Sequence, residues 1–384
     1  MRRHRLFTLG LIVAFLAFLE AGSYGVGRYL TVSKGIFYAP HVKETYGDYI
    51  TRLDPWLGWP SHTAYRGPLL DAAGSRQVPA FPDPARQPPC VSLYGDSFTW
   101  GEDVDHEHAW GNVLARLLKC RVANYGVAGY GADQAYLRFH LKKDDPARIV
   151  IFGFLSENIT RHVGQFRNLA APTPQFKIKP RFILNGRGEL QLIPIPFLSS
   201  WDYPEFIQHP ERFLNHEYFL PGGPSGVQRL TFPYTLSLLN TYKRFYIRAF
   251  FTGEPRYAEF YRPHHSSRAL GVTLKIIESF YQEARAQGRH PIVVIFPTGY
   301  DLQYYVKKQV WVYEPVIEQL KARQVDFINL GQELLPYLQG GSPCRLFIND
   351  FCGGHFNDEG NRLVAEIVYR HLSRALMPTA QPTH

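Results

Sequence analysis

The stretch Val91-Ser92-Leu93-Tyr94-Gly95-Asp96-Ser97-Phe98-Thr99-Trp100-Gly101 decides how the rest of this chain is interpreted. It begins as a short apolar run of β-prone residues and stops abruptly at Gly-Asp-Ser. A buried strand that ends there places the Ser97 hydroxyl beyond the carboxyl end of the strand, where open α/β sheets bind ligands. On its own the tripeptide is also an ordinary turn, because Gly and Asp favour turns and Ser often caps helices. Three later stretches favour the ligand-binding interpretation.

Strand-like and helical segments alternate on the C-terminal side of residue 90. The strand-like runs lie at 90–95, 120–125, 148–154, 291–297 and 325–330, and the helical patterns lie at 108–118, from 132, 269–287, 313–323 and 358–375. The run 148–154 lacks the alternation of a half-exposed strand, which is typical of a parallel strand buried on both faces. Strands that alternate with helices indicate βαβ units. The predicted fold class is therefore α/β: a three-layer α/β/α sandwich with a mainly parallel, five-stranded, flavodoxin-like sheet.

Two regions lie outside this pattern. Residues 31–89 are rich in Tyr, Pro, Gly and Asp, which indicates an irregular N-terminal extension. Its aromatic cluster at 54–60 either lines a substrate groove or covers the edge of the core. Residues 161–265 break the alternation and contain a hairpin pattern around Asn185-Gly186-Arg187-Gly188, so we interpret them as an insertion with either a cleft-capping role or a small core of its own. The α/β domain itself is predicted over 90–160 and 266–376.

Composition is that of a globular protein and argues against several kinds of partner. Of the 384 residues, 45% are apolar and 20% are charged. The formal net charge of +9 is scattered, with no basic run beyond the first five residues, so we expect solvated surface charge and no nucleic-acid partner. The sequence shows no zinc-ligand spacing, and neither a metal nor another cofactor is expected. It does not indicate an oligomeric state.

The N-terminus has the features of an export signal. Residues 1–5 are basic, Leu6 to Leu19 are nearly all apolar, and Glu20 is followed by small residues that a signal peptidase accepts. This apolar run fits a signal peptide better than a full membrane span of roughly 20 residues. If Glu20 is tolerated at the interface, continuation to Leu30 makes a signal anchor with its basic end in the cytoplasm. Residues 1–30 are therefore a signal anchor or a cleaved signal peptide. In both cases the rest of the chain is exported, either membrane-anchored or periplasmic or secreted.

The four cysteines suit an oxidising compartment. Cys90 and Cys120 each open a strand-like run, so their thiols lie side by side if the two strands are parallel neighbours. Cys344 and Cys352 bracket a short loop near the C-terminus. We therefore predict the disulfides 90–120 and 344–352, the alternative being free buried thiols.

Residues suited to acyl transfer follow three of the strands or precede the last helix. A serine hydroxyl needs a base to become a nucleophile, and the best-placed base for Ser97 is His355, because the two glycines before it allow close backbone approach to a ligand. An oxyanion also needs donors. These are the N–H of Ser97, the N–H of Gly129 and the side-chain amide of Asn158. Taken singly, Gly129 is a turn glycine and Asn158 a helix cap, but together with Ser97 and His355 they favour one site.

With these residues considered together, the chain resembles the GDSL, or SGNH, hydrolase family. The first block is Leu93-Tyr94-Gly95-Asp96-Ser97-Phe98, the second is Asn124-Tyr125-Gly126-Val127-Ala128-Gly129, and the last runs through His355-Phe356-Asn357 to Gly360. The resemblance covers about residues 88–160 and 268–375. It implies Ser97 as the nucleophile, His355 as the base and Gly129 as an oxyanion donor.

Two blocks depart from the family's pattern. The third usually reads Gly-x-Asn-Asp, whereas here it is Gly153-Phe154-Leu155-Ser156-Glu157-Asn158. Asn158 is the chemical equivalent, but another register aligns Glu157 there. In the last block the family has Asp three residues before the His, and Cys352 occupies that position. Asp350, five residues before His355, is the candidate acid; without it the site is a Ser-His dyad or a weakened enzyme.

The resemblance implies an exported serine esterase or O-acyltransferase that works through an acyl-enzyme. Its ester substrate is expected to be an acylated glycan of the envelope or a secreted polysaccharide. Two alternatives are a carbohydrate-binding or assembly protein that keeps the fold without efficient catalysis, and a lipid-ester hydrolase. Arg161 and His162 are either contacts for an anionic substrate or ordinary surface residues.

Overall fold

The computed structural model describes residues 2–60, 67–171, 173–245 and 251–376. The chain divides into two compact units. The sheet unit comprises residues 52–163, 179–195 and 257–384, and the N-terminal unit comprises residues 1–51, 164–178 and 196–256. Every candidate catalytic residue lies in the sheet unit.

The secondary structure alternates in the order that the sequence predicts. The strands are β1 (Val91–Tyr94), β2 (Val122–Asn124), β3 (Ile149–Leu155), β4 (Arg181–Leu184), β5 (Leu190–Ile193), β6 (His290–Phe296) and β7 (Phe327–Asn329). The α-helices are α1 (Arg2–Lys34), α2 (Tyr46–Arg52), α3 (Ser97–Trp100), α4 (Trp110–Leu118), α5 (Ala132–Leu141), α6 (Asp202–Gln208), α7 (Tyr234–Phe245), α8 (Ala269–Ala286), α9 (Gly299–Lys308), α10 (Glu314–Ala322), α11 (Leu330–Leu338) and α12 (Asp358–Leu376). Short 3-10 helices lie at Gly67–Leu69, Ser156–Val163, Arg167–Leu169, Pro210–Arg212, Arg256–Tyr261 and Pro343–Leu346.

The sheet unit is built on a five-stranded sheet with the strand order β2-β1-β3-β6-β7. All its pairings are parallel. β1 and β3 are buried along their whole length, and β6 is buried after its first residue. Because both faces are covered, these strands are nearly continuous apolar runs rather than alternating ones. The predicted α/β fold with a parallel five-stranded sheet is confirmed.

Helices cover the two faces of this sheet. The chain passes from β1 to β2 in one direction and from β2 to β3 in the other, so right-handed crossovers place α4 and α5 on opposite faces. α12 packs on α4 with α11 beside it, and α8 packs on α5 with α10 beside it. The result is the three-layer arrangement that the sequence predicts.

A two-stranded hairpin belongs to the same unit. β4 pairs antiparallel with β5. The turn between them is closed by a hydrogen bond from the Gly188 N–H to the Asn185 carbonyl at 3.0 Å. The Asn-Gly-Arg-Gly pattern therefore predicts this hairpin correctly, although it lies in the region that we interpreted as an insertion.

The N-terminal unit has an aromatic core. Tyr49 of α2 stacks on Tyr203 of α6 with ring centroids 5.4 Å apart, and Phe176 lies 4.8 Å from Tyr49 and 5.2 Å from Phe206. Phe166 is 5.0 Å from both Phe176 and Phe206. These aromatic residues of the region 161–265 thus pack on one another and on α2, with centroid distances typical of favourable ring pairs.

The apolar N-terminal segment is one long helix. Within α1, residues His4–Lys34 are long and apolar enough to cross a membrane, with a mean hydropathy of 2.0 over the best window of 18 residues and only 6% of that window buried. An N-terminal signal sequence would have the same properties.

Both predicted disulfides are present. Cys90 is bonded to Cys120, and Cys344 is bonded to Cys352. The first follows from the pairing of β1 with β2, which brings together the segments that precede the two strands: Cys90 comes directly before β1, and Cys120 comes two residues before β2. The second closes the loop that precedes His355.

Candidate active site

Ser97 stands at the turn between β1 and α3, at the carboxyl edge of the sheet. Asp96 caps α3 and accepts hydrogen bonds from the N–H groups of Phe98 at 3.0 Å and Thr99 at 3.5 Å. Gly101 ends the helix in the left-handed region at φ 76°. Ser97 is 6% exposed, and its hydroxyl makes no hydrogen bond within the described parts of the chain. The cap on one side and the glycine on the other hold a short helix that presents this hydroxyl.

Two glycines let α3 lie directly on the strand ends. A Cβ atom on Gly95 or on Gly153 would lie 1.9 Å from the Thr99 hydroxyl oxygen. No real Cβ makes so close a contact, so Thr99 fits between β1 and β3 only because both residues are glycine. Gly95 of the first block and Gly153 of the third block therefore both face Thr99 with backbone atoms, because neither has a side chain.

The base is carried on a small hairpin before α12. Phe347 and Phe356 form an antiparallel bridge, and the Ile348 N–H donates to the His355 carbonyl at 3.0 Å. The disulfide that ends at Cys352 ties the tip of this hairpin to the preceding 3-10 helix. Asn357 caps α12 by accepting a hydrogen bond from the backbone N–H of Gly360 at 3.0 Å. His355 thus has a fixed backbone on both sides.

The His355 ring lies beside the first block. Its centroid is 5.1 Å from that of Phe98, the residue after Ser97. Its Nδ1 lies 2.7 Å from Oδ2 of Asp103. A carboxylate can only accept, so Nδ1 carries the proton and donates it to this bond, and Nε2 keeps its lone pair. This is the tautomer that a general base acting through Nε2 requires.

The carboxylate on His355 is not the one that sequence reasoning favoured. Asp350 lies in the exposed turn of the His355 hairpin and makes no hydrogen bond to the ring. The contact comes from Asp103, 252 residues away in the chain, in the loop that follows α3. Asp103 has a φ of 65°, in the left-handed region that Asp tolerates better than most side chains. Ser97 and Asp103 therefore lie at the two ends of one short helix.

Arg76 holds the loop that carries Asp103. Its Nη1 donates to the carbonyls of Trp100 and Gly101, both at 2.9 Å. Its Nη2 donates to the carbonyls of Val104 at 3.0 Å and Asp105 at 2.9 Å. Arg76 is 4% exposed. One planar guanidinium thus binds the carbonyls on both sides of Asp103, an arrangement that the rigid fork of arginine allows and lysine cannot reproduce.

Asn158 reaches the first block from the end of β3. It is fully buried, and its Nδ2 donates to Oδ2 of Asp96 at 2.9 Å. Glu157 is instead paired with Arg161 at 2.6 Å and is partly exposed. The geometry therefore favours the alignment in which Asn158, and not Glu157, is the residue of the third block. Nδ2 has a second hydrogen in addition to the one it gives Asp96.

Gly129 lies in the turn that follows β2. The Tyr130 N–H donates to the Val127 carbonyl at 3.1 Å, and the Val127 N–H donates to the Gly95 carbonyl at 3.1 Å. Gly129 has a φ of 91°, the third position of a type II turn, where a side chain is strained. The Trp59 ring would lie 3.1 Å from a Cβ at this position. The turn is thereby fastened to the residue that precedes Asp96, and Trp59 covers it.

Burial and the neighbouring groups act in opposite directions on the pKa of Asp96. The pKa of its carboxyl is raised by burial, while the charge of Arg161 and the hydrogen bonds from Asn158 and Phe98 favour the ionised form, as does the nearby His355.

Arg161 and His162 are both engaged within the protein. Arg161 donates to the Tyr130 carbonyl at 2.7 Å as well as to Glu157. His162 is fully buried: Nε2 accepts from the Ala132 N–H at 3.1 Å, and Nδ1 lies 2.7 Å from the Thr273 hydroxyl. The expectation of surface positions is wrong for His162, because it fills the space between α5 and α8. His162, being fully buried, does not have the position of a contact for an anionic substrate.

No protein-family model matches the chain, and no curated protein matches it. Solved structures that resemble it are described as GDSL or SGNH proteins, the family that the sequence blocks resemble. They include a lipolytic protein of the G-D-S-L family from Veillonella parvula (13% identity, TM-score 0.38, 74% of this chain and 98% of that one). An acetyl xylan esterase has 13% identity and a TM-score of 0.37 over 73% and 98% of the two chains. A psychrotrophic esterase from a Pseudoalteromonas species has 11% and 0.32 over 74% and 97%. Likeness at this level does not extend to activity or substrate.

Proposed function

We propose that the chain is a serine ester hydrolase in which Ser97 is the nucleophile, His355 the base and Asp103 the carboxylate that orients the base. The observation that carries this proposal is the 2.7 Å bond between His355 Nδ1 and Asp103 Oδ2 beside the Ser97 turn. A histidine held in this tautomer, with its ring beside the residue that follows Ser97, is part of the arrangement that activates serine for acyl transfer.

In the first step His355 Nε2 removes the proton of the Ser97 hydroxyl as Oγ attacks the ester carbonyl. The negative charge on the carbonyl oxygen is stabilised by the N–H of Ser97, which as the first residue of α3 has no acceptor within that helix, and by Gly129 and Asn158. His355 then gives the proton to the leaving alcohol. Water attacks the acyl-enzyme in the second half, with His355 again as the base.

The substrate class follows from the family resemblance and from the export signal together. We propose O-acyl groups on an envelope or secreted glycan as the substrate, with the enzyme outside the cytoplasm. Water as acceptor gives hydrolysis, and a sugar hydroxyl in its place gives O-acyl transfer by the same two steps.

The test is turnover of p-nitrophenyl acetate and labelling by a fluorophosphonate probe, each measured on the wild type and on Ser97→Ala. We expect the variant to lose both the label and about 10³-fold or more of the rate. The control is Ser279→Ala, a serine on α8 outside the site, which should behave as wild type. A wild-type protein that takes no label and turns over neither this ester nor acetylated oligosaccharides would contradict the proposal and favour a glycan-binding protein.

A further inference from the structure

Glu20 interrupts the apolar run of α1, and the structure gives its carboxylate a partner. Oε2 of Glu20 accepts a hydrogen bond from the backbone N–H of Tyr234 at 2.5 Å, and both of its oxygens lie 3.4 Å from the N–H of Thr235. These are the first two residues of α7. The first N–H groups of a helix have no acceptor within it and carry its positive end. A carboxylate from α1 therefore caps α7.

The capping contact belongs to a continuous stripe along α1. Ser23 Oγ lies 2.8 Å from the hydroxyl oxygen of Thr235. A Cβ on Gly27 would lie 2.7 Å from the side chain of Leu230. Glu20, Ser23 and Gly27 are three or four residues apart, so they lie on one face of the helix. The outer part of α1 is thus fitted to α7 and the segment before it.

The chain stays in the N-terminal unit after α1 ends. Phe37 and Tyr38 are buried. The Tyr38 N–H donates to the Gln228 carbonyl at 2.9 Å, and the Tyr38 hydroxyl donates to the Ile207 carbonyl at 2.5 Å. The segment from Glu20 to Tyr38 is therefore part of this folded unit. Removing the chain up to about residue 23 would take away the cap of α7.

The surface around this contact is apolar and exposed. Phe232, Leu236 and Leu239 are 71%, 54% and 64% exposed. A span that starts at Leu6 and crosses a hydrocarbon core of roughly 30 Å ends near residue 26. Glu20 then lies about 9 Å inside the outer boundary, at 1.5 Å per residue, where an unpaired carboxylate is costly. The N–H groups of Tyr234 and Thr235 are the hydrogen-bond partners that a carboxylate at this depth requires.

We propose that α1 is retained as a signal anchor and that α7 packs on its outer end, so that Phe232, Leu236 and Leu239 are seated in the lipid bilayer that α1 crosses. The occupant of this apolar surface is the bilayer because α7, which carries Leu236 and Leu239, packs on α1, whose own apolar side chains are exposed along the span. This inference does not rest on the hydrolase activity. It assigns to Glu20 a role that neither a cleaved signal peptide nor a plain anchor requires.

The first experiment measures the N-terminus and the docking together, in the full-length chain with a C-terminal tag expressed in a bacterial host. Intact mass of the membrane-fraction protein should include residues 1–23. In Ser23→Cys/Thr235→Cys the two new thiols should form a disulfide and resist alkylation, since the hydroxyl oxygens that they replace are 2.8 Å apart. In the control Gly25→Cys/Thr235→Cys both should react, because residue 25 lies on another face of α1. A mature protein that starts near residue 24, or reactive thiols in both pairs, overturns the proposal.

The second experiment tests whether the Glu20 carboxylate stabilises α7 as a helix cap or is only a charge that the membrane segment tolerates. Glu20→Leu makes α1 more apolar but removes the acceptor for two amides of α7, so we expect a lower thermal midpoint in detergent. Glu20→Gln keeps an acceptor oxygen and should recover part of the loss, and Ala21→Leu, at an exposed neighbouring position, should leave the midpoint unchanged. A Glu20→Leu protein as stable as the wild type would rule out the cap.

The third experiment tests the occupant. A bimane label on Leu239→Cys, in phosphatidylcholine–phosphatidylglycerol vesicles, should be quenched by brominated lipid, whereas a label on Lys321→Cys in the sheet unit should not. Equal quenching at the two positions would exclude the bilayer contact. Disulfide-linked dimers of the Leu239→Cys protein without quenching would show instead that a second copy covers this surface.

Discussion

At His355 the two ring nitrogens have different tasks. Nδ1 is hydrogen-bonded to Asp103, and in the proposed mechanism Nε2 receives the proton of Ser97. An orienting carboxylate fixes the tautomer and stabilises the charged ring as it forms, and its loss lowers the rate without moving the other residues. The identity of the acid can therefore be tested apart from the identity of the nucleophile.

We expect Asp103→Asn to lower kcat for p-nitrophenyl acetate about 10²- to 10⁴-fold, because an amide can donate to Nδ1 and then favours the wrong tautomer. The matched variant Asp350→Asn, whose side chain is exposed and does not touch the ring, should keep wild-type kcat. Thermal midpoints of both proteins check that folding is unaffected. The opposite ranking of the two variants would return Asp350 to the role that sequence reasoning assigned to it.

There is a physical reason why sequence reasoning does not find Asp103, the acid of the proposed mechanism. Local spacing around His355 points to Cys352 or Asp350, since the family's acid precedes its histidine closely. Asp103 is 252 residues from His355 in the chain, and the fold of the sheet brings the two together. It lies in the loop after α3, which begins at Gly101 with a left-handed backbone conformation. The only signal was an acidic residue in the turn just after Ser97, which is also a common composition for a turn. Ser97, His355 and Asn158 could be proposed from the sequence because motif spacing and strand ends indicate them; their roles stay predictions.

At the scale of helices, strands and loops, the loop between α3 and α4 is important for the site because it carries Asp103. Its backbone carbonyls are held from both sides of Asp103 by Arg76, whose guanidinium also lies 4.8 Å from the Trp100 ring. Arg76 does not touch the ring of His355, so we regard it as a positioning residue that acts through Asp103.

Arg76→Lys should lower kcat about 10- to 100-fold with little change in KM, because a small displacement of a catalytic group affects the transition state more than substrate binding. The same substitution at the exposed Arg86 should have no effect. If Arg76 acts through Asp103, the double variant Arg76→Lys/Asp103→Asn should be no slower than Asp103→Asn alone. Multiplied losses in the double variant would mean a general structural role.

The strands were predicted correctly where burial on both faces gives a simple apolar sequence pattern. β1, β3 and β6 are continuous apolar runs, and their predicted limits agree with the structure within one or two residues. α9 was not predicted, because its sequence is aromatic and polar with a weak apolar face; a capping box at Thr298 and Asp301 was the available signal. α11 was missed because it starts directly at the end of β7, and Pro336 lies inside it.

For the whole molecule, two buried groups give the folding stability opposite dependences on pH. Burial lowers the pKa of His162 to about 3, so between the usual value of 6.5 and 3 the unfolded chain binds a proton that the folded chain does not. Stability from this group is lost as the pH falls. Burial raises the pKa of Asp301 from 3.8 to about 6, so in that window the folded chain binds the extra proton, and stability is lost as the pH rises.

Thermal midpoints measured from pH 7 down to pH 4 should separate the two groups. His162→Gln should show a smaller loss on acidification than the wild type, even if its midpoint is lower at pH 7. Asp301→Asn should show a larger loss, because it lacks the opposing group. The control is His264→Gln, an exposed position, whose curve should run parallel to that of the wild type. A His162→Gln curve parallel to the wild type would refute the assignment.

If the chain is the exported hydrolase proposed above, the disulfide between Cys344 and Cys352 makes its activity depend on the redox state of the compartment. It closes the hairpin that presents His355, three residues before the ring. In a reducing cytoplasm the bond would be absent, and the hairpin that carries His355 would lose this covalent constraint. Under the proposed function, the chain would therefore gain full hydrolase activity only after the disulfide has formed in an oxidising compartment. Activity that is low in dithiothreitol and restored by reoxidation is the expected sign of this dependence.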